Sequence, residues 1–118
     1  MTRRRYDQHS TEFGLWLRER KEIDSKLGYV ATNIDYMWHN HKKGKWLYLE
    51  EKRFRKPIEF PQKKLFEIVD HVSKNDPNYC GFHTLIFERT NPEDGKMWLD
   101  NKEITKDQLM GFLKFESE

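Results

Sequence analysis

Residues 33–52 constrain the fold most, because two apolar, aromatic-rich runs flank a short polar turn. The turn consists of His41, Lys42, Lys43 and Gly44. Strand-forming residues precede it, namely Tyr29, Val30, Thr32, Ile34, Tyr36 and Trp38. Residues 46–49, which follow the turn, have the same character. The segment therefore predicts a β-hairpin.

The register of this hairpin determines which polar side chains meet. A turn centred on residues 42–43 pairs Asp35 with Glu50 and Asn33 with Lys52. Because side chains alternate along a strand, all four should lie on one face of the sheet. A β-bulge would shift this pairing.

Two carboxylates placed opposite each other repel, which is unfavourable for stability alone. A divalent cation between Asp35 and Glu50 would remove the repulsion, since Mg²⁺ prefers oxygen ligands. Lys52 would point to the same place, where it could orient a water molecule or neutralise a phosphate. The alternative is a solvated sheet face with a cross-strand salt bridge.

Asp35 and the Glu50-Glu51-Lys52 triplet resemble the PD-(D/E)XK nuclease superfamily, although Ile34 stands where the motif has proline. The resemblance implies an α/β fold with a restriction-endonuclease-like core, in which helices flank a mixed sheet. It implies that Asp35 and Glu50, with the backbone carbonyl of Glu51, bind Mg²⁺ or Mn²⁺. It also implies that Lys52 orients the attacking water.

Residues 12–90 are similar in layout to archaeal-type Holliday-junction resolvases. There a helix Glu precedes the strand Asp by a separation like that between Glu12 and Asp35, and a Gln begins the helix after the Glu-x-Lys strand. The similarity implies that Glu12 joins the metal site, with Glu19 as second choice, and that Gln62 positions Lys52 or a DNA phosphate. A plain first-turn acid remains the alternative for Glu12.

Periodicity and turn signals give the element order α-β-β-α-β-β-α. Ser10 or Thr11 caps a first helix that runs to about residue 24. A second helix begins at Pro61 and runs to about residue 74. The third and fourth strands span about 79–89 and 96–99, and Thr105 caps the last helix.

The chain has 118 residues, which suits a single domain over 1–118 with a flexible basic arm at 1–9. The formal net charge is only +2, but basic residues cluster near the candidate site. Such clusters suit a polyanion, whereas the alternative is an ordinary solvated surface. The residues predicted to contact nucleic acid are Lys42, Lys43, Lys45, Arg53, Arg55, Lys56 and Lys63.

The one cysteine, Cys80, excludes an intramolecular disulfide and a cysteine-based zinc site, and a strand context predicts that it is buried. The sequence shows no signal peptide and no apolar run long enough to cross a bilayer. We therefore expect a cytoplasmic location.

The expected function is that of a Mg²⁺- or Mn²⁺-dependent endonuclease that hydrolyses DNA phosphodiester bonds, with branched junctions as a candidate substrate. A homodimer is expected, because small nucleases that cut both strands commonly work as dimers. Two alternatives stay open on the same fold. One is a non-catalytic nucleic-acid-binding module, and the other is a protein-interaction domain.

Overall fold

The computed structural model describes residues 12–29 and 33–116. By its internal contacts the chain divides into an N-terminal unit, Met1–Thr32, and a C-terminal unit, Asn33–Glu118. The predicted basic arm at 1–9 and the predicted caps Ser10 and Thr11 lie outside the described residues.

The first helix of the N-terminal unit is shorter than predicted. Helix α1 spans Glu12–Arg18, and two 3₁₀ turns follow it at Lys21–Ile23 and Ser25–Leu27. The prediction of a helix to about residue 24 was therefore wrong. Residues 18–22 are all charged, so they offer no apolar side chains whose packing would stabilise further helical turns.

The hairpin forms with the predicted register. Strand β1, Tyr36–Asn40, runs antiparallel to strand β2, Lys45–Lys52, and Tyr36 pairs with Leu49. The turn closes as predicted, with the Gly44 amide 2.8 Å from the Asn40 carbonyl oxygen and Gly44 at φ 74°. Glycine adopts this left-handed conformation without steric cost.

Strand β1 begins later than predicted. Residues 29 and 34 lie outside it, and Val30 and Thr32 fall outside the described residues. The side chain of Asp35 gives a physical reason. Its Oδ2 accepts the backbone N–H of Glu51 at 2.9 Å, so a carboxylate replaces the ladder carbonyl where the pairing ends.

Within the described residues, the C-terminal unit contains one mixed sheet of five strands in the order β1-β2-β3-β4-β5. Helix α2, Phe60–Ser73, connects β2 to β3, Tyr79–Phe87, which is parallel to β2. The antiparallel strands β4, Met97–Leu99, and β5, Lys102–Glu103, complete the sheet, and helix α3, Lys106–Leu113, follows.

The mixed α/β class is confirmed, whereas the predicted order lacked β5. A two-residue turn joins β4 to β5, with Asp100 at φ 51° and Asn101 at φ 71°. Asp and Asn tolerate this conformation better than most residues. The predicted cap Thr105 is confirmed, because it forms a capping box with Gln108. Pro61 is the second residue of α2 rather than the first.

Helices α2 and α3 pack against opposite faces of the sheet. Toward α3, the core consists of strand residues and one helix residue, namely Leu47, Leu49, Leu85, Phe87, Met97 and Leu109. Toward α2, Phe66 stacks on Phe82 with ring centroids 4.4 Å apart. Because side chains alternate along β2, Glu50 and Lys52 lie on the α2 face.

A β-bulge in β3 changes which residues face each helix. Trp46 pairs with Tyr79, but Tyr48 pairs with Phe82, so β3 contains one extra residue between these pairs. Gly81 lies there with φ 109°. Cys80 is exposed in this irregular segment, so the prediction that it is buried was wrong.

Candidate functional site

Glu50 is the buried acid of the C-terminal unit, with 3% of its surface exposed. Strand β2 places it on the α2 face, beside Thr84 of β3. Its Oε1 accepts the Asp35 backbone N–H at 3.1 Å. Burial raises the pKa of Glu50, and the nearby Asp35 carboxylate adds to the increase, although the Asp35 N–H and the charge of Lys52 oppose it.

Lys52 lies next to this carboxylate, as predicted. Its Nζ is 3.9 Å from Glu50 Oε2 and donates a hydrogen bond to Gln62 Oε1 at 3.0 Å. Gln62 is in the first turn of α2, so the helix that covers this face also holds the amino group. The sequence therefore predicted three residues that the fold brings together.

Asp35 and Glu51 complete the polar network at the end of the hairpin. Asp35 is exposed and is bonded to the Glu51 amide. The Glu51 side chain accepts hydrogen bonds from Tyr36 Oη at 3.0 Å and from Arg53 Nε at 3.3 Å. The hydrogen bond to Glu51 and its negative charge raise the pKa of Tyr36. The side chain of Glu51 is thus engaged away from Glu50.

These residues border an open cleft of about 500 Å³ at the end of β2. Its walls include Asp35, Tyr36, Lys52, Arg53, Phe54 and Lys56. Lys52 joins the cleft to the buried carboxylate, because it lines the cleft and also contacts Glu50.

Asp35 and Glu50 carry oxygen donors of the type that hard divalent cations prefer, and both form hydrogen bonds at the end of the hairpin. Asp35, Glu50 and the backbone carbonyl of Glu51 would supply oxygen atoms, and Mg²⁺ is commonly bound by one or two carboxylates together with water and substrate phosphate. The buried Glu50 carboxylate also has a cationic neighbour, since Lys52 Nζ is 3.9 Å from its Oε2. Across residues 12–29 and 33–116, no group of three His, Cys, Asp or Glu side chains is arranged to hold a metal.

Glu12 is the first residue of α1 in the N-terminal unit, and its side chain is exposed. It lines a cavity of about 470 Å³ within that unit, together with Phe13, Leu15, Trp16 and Glu19. Its role as a metal ligand stays a prediction.

The basic residues predicted to bind nucleic acid fall into two groups. Exposed residues without a described anionic neighbour are Lys42, Lys45 and Lys63, and Lys56 lines the cleft. The others have intramolecular contacts. Lys43 Nζ donates to the Lys114 carbonyl at 2.7 Å, Arg53 contacts Glu51, and Arg55 contacts Glu88 at 3.3 Å.

Comparison with protein-family models, with curated proteins and with solved structures found no match. Among the helices that the structure describes, none has the length and apolar character needed to span a bilayer.

Sequence reasoning missed two neighbours of the cleft. Tyr36 was assigned only to the strand, yet its hydroxyl group binds Glu51. Phe54 was not considered, although it is 62% exposed and lines the cleft. The signal for Phe54 was its position as an aromatic residue inside the basic run 52–56.

Proposed function

We propose that this protein is a metal-dependent nuclease that hydrolyses DNA phosphodiester bonds, on a restriction-endonuclease-like core. The observation that carries the proposal is the position of Lys52. Its amino group lies between the buried Glu50 carboxylate and Gln62, and the residue also lines an open cleft. An isolated surface salt bridge would require neither a buried carboxylate nor a helix residue that fixes the lysine.

Asp35 and Glu50, with the Glu51 carbonyl, would hold Mg²⁺ or Mn²⁺. When bound, the ion would lower the pKa of a coordinated water molecule and stabilise negative charge on the scissile phosphate. Because Glu50 has a raised pKa, the ion would also favour the ionised form of this carboxylate.

Lys52 would orient the attacking water and stabilise the charge that develops on the phosphate. Its hydrogen bond to Gln62 restricts the amino group to a position beside Glu50. Gln62 is therefore a positioning residue, and Lys52 is the group that contacts the reacting atoms. Exposed cations around the cleft, such as Lys56, would bind the DNA backbone without reading its sequence.

The test is incubation of the protein with linear, supercoiled and branched DNA in the presence of Mg²⁺, Mn²⁺ or EDTA. We expect cleavage that requires the divalent ion and that is lost in Asp35→Asn. Arg53→Ala is the matched control, because Arg53 is exposed and pairs with Glu51 rather than Glu50. It should retain turnover at saturating DNA. Absence of cleavage of every substrate with either ion would contradict the proposal.

A non-catalytic DNA-binding module is the second candidate. It is favoured by the exposed side chains of Lys42, Lys45 and Lys63, which would attract a DNA backbone without any metal ion. The same samples distinguish the two functions. Salt-dependent binding without any product on a denaturing gel would support the second candidate and exclude the first.

A further inference from the structure

Phe54 lies two residues after the end of β2, the strand that carries Glu50 and Lys52, and has an unusual backbone conformation. Phe54 has φ 56° and Arg55 has φ 57°, so two consecutive non-glycine residues are left-handed. Bulky side chains rarely adopt this conformation, and such strain is found where surrounding contacts enforce it. Residues 53–56 form a β-turn with these two residues at its centre, and the Lys56 N–H donates to the Arg53 carbonyl oxygen at 3.1 Å. Neither central residue is the glycine, asparagine or aspartate that a turn with two positive φ angles favours.

Several contacts fix this segment against the rest of the sheet. The Phe54 amide donates to the Arg89 carbonyl at 2.9 Å, and the Arg55 amide donates to the Phe87 carbonyl at 2.9 Å. The Arg55 guanidinium lies 4.8 Å from the centre of the Trp98 ring. The backbone at Phe54 is therefore anchored, and with it the direction in which the Cα–Cβ bond leaves the chain.

The anchored ring is presented to solvent instead of to the core. Phe54 is 62% exposed and shares the cleft with Lys52, Arg53 and Lys56. An exposed ring gains nothing for folding, since apolar surface is stabilising only when it is removed from water. An aromatic platform beside several cations suits a ligand that has both a flat apolar face and phosphate groups.

We propose that Phe54 stacks on an unpaired nucleobase of the substrate, next to the phosphate that reaches Lys52. Proteins that bind single strands combine cations that follow the backbone with aromatic side chains on which bases stack. Bases in an intact duplex are already stacked on their neighbours, so they are not available to stack on Phe54. The inference rests on the proposed nuclease function and specifies its substrate class as DNA with unpaired bases at the cleavage site, such as single strands, flaps or open junctions.

Two variants separate the ring from the backbone conformation. Phe54→Asn removes the ring but tolerates positive φ, so the segment should keep its shape. Phe54→Trp retains an aromatic face. Binding is measured by fluorescence anisotropy in EDTA, with a single-stranded oligodeoxynucleotide longer than one site of about 16 nucleotides and with the matching duplex.

We expect Phe54→Asn to weaken single-strand binding about 10-fold and duplex binding about 2-fold or less, because each stacked base contributes measurably to affinity. Phe54→Trp should bind like the wild type, and its additional indole fluorescence should be quenched by the single strand. Lys63→Ala is the charge control, and it should weaken both ligands equally, since it alters only backbone attraction.

Unchanged single-strand affinity in Phe54→Asn, or an equal loss for both ligands, would overturn the stacking role. A change in self-association in place of a change in DNA affinity would also overturn it and would assign the ring to a protein contact. If the wild type cleaves duplex DNA and Phe54→Asn changes nothing, the inference fails alone. If the wild type neither binds nor cleaves any DNA, the proposed function fails with it.

Discussion

Replacement of Lys52 by methionine tests the site most directly, because the expected losses of stability and of turnover have different physical causes and are measured separately. Methionine keeps most of the apolar stem and removes the charge. The folded protein then retains Glu50 at 3% exposure without its cation. At saturating DNA we expect about a 100-fold lower turnover, which corresponds to roughly 2.7 kcal/mol of transition-state stabilisation.

The effect on stability can be worked from the contact. Two unit charges at the observed 3.9 Å interact with about 4 kcal/mol at an effective dielectric constant of 20. Part of this is offset by desolvation and by the 20% exposure of the lysine side chain. The Asp35 N–H also still stabilises the carboxylate. We therefore expect a loss of about 1–2 kcal/mol at neutral pH, which exceeds the roughly 0–1 kcal/mol of an exposed pair.

This loss should depend on pH with a definite sign. The contact between Lys52 and Glu50 is favourable only while Glu50 is ionised, so the difference between wild type and Lys52→Met should disappear once the carboxyl is protonated. Because the pKa of Glu50 is raised, protonation begins at a higher pH than for an ordinary glutamate. Urea unfolding from neutral to acidic pH measures the difference.

Gln62→Ala and Arg53→Ala are the companions of this experiment. Gln62→Ala keeps the charge of Lys52 but removes the acceptor at 3.0 Å, so turnover should fall about 10-fold with a shifted pH profile and little change in DNA affinity. Arg53→Ala should weaken DNA binding without loss of turnover. Equal turnover by wild type and Lys52→Met on saturating DNA would refute the catalytic role of Lys52.

Four further predictions concern the metal, the titration of Glu50, the bulge at Gly81 and the oligomeric state. Asp35→Asn should weaken Mn²⁺ binding at least about 10-fold by calorimetry, because one of two carboxylates is lost, and an unchanged affinity would exclude the site. The pKa of Glu50 is raised in the folded protein, so the wild type should lose stability as the pH rises from the unfolded pKa to the folded pKa, by about 1.4 kcal/mol for each unit between them. Glu50→Gln should remove this loss, and urea unfolding across that pH range measures it. Gly81→Ala should lower stability by about 1–3 kcal/mol in thermal melts, since a Cβ there lies 2.8 Å from His83 Nε2 and φ is 109°; an unchanged melting temperature would contradict this account. The expected homodimer should be visible by light scattering, and a monomer with and without DNA would exclude it.

Local signals explain how much of the fold the sequence revealed. The hairpin register followed from a four-residue turn with Gly44 at its end, because turn length and strand alternation together fix the pairing. The start of α3 at Thr105 was also a local signal, because its capping box with Gln108 involves only neighbouring residues. Where a structural decision depends on a few adjacent residues, sequence reasoning was sufficient.

Tertiary contacts explain what the sequence did not reveal. The alternation of β2 placed Glu50 and Lys52 on one face, but their burial depends on α2, which crosses over that face and brings Gln62 to the lysine. The prediction of a longer first helix failed because residues 18–22 are all charged and offer no apolar side chains for packing. The turn at Asp100 was missed because its signal is weaker than that of Asn-Gly.

The bulge at Gly81 has a consequence for comparing this chain with other sequences. The extra residue changes the phase of β3, so that Tyr79 and Phe82 share a face although three positions separate them. Loss of one residue at this point would restore simple alternation and reverse the faces of every position on one side of it. A relative with a regular strand should therefore align with a one-residue gap at Gly81, and an ungapped alignment would set Thr84, the neighbour of Glu50, against a core position.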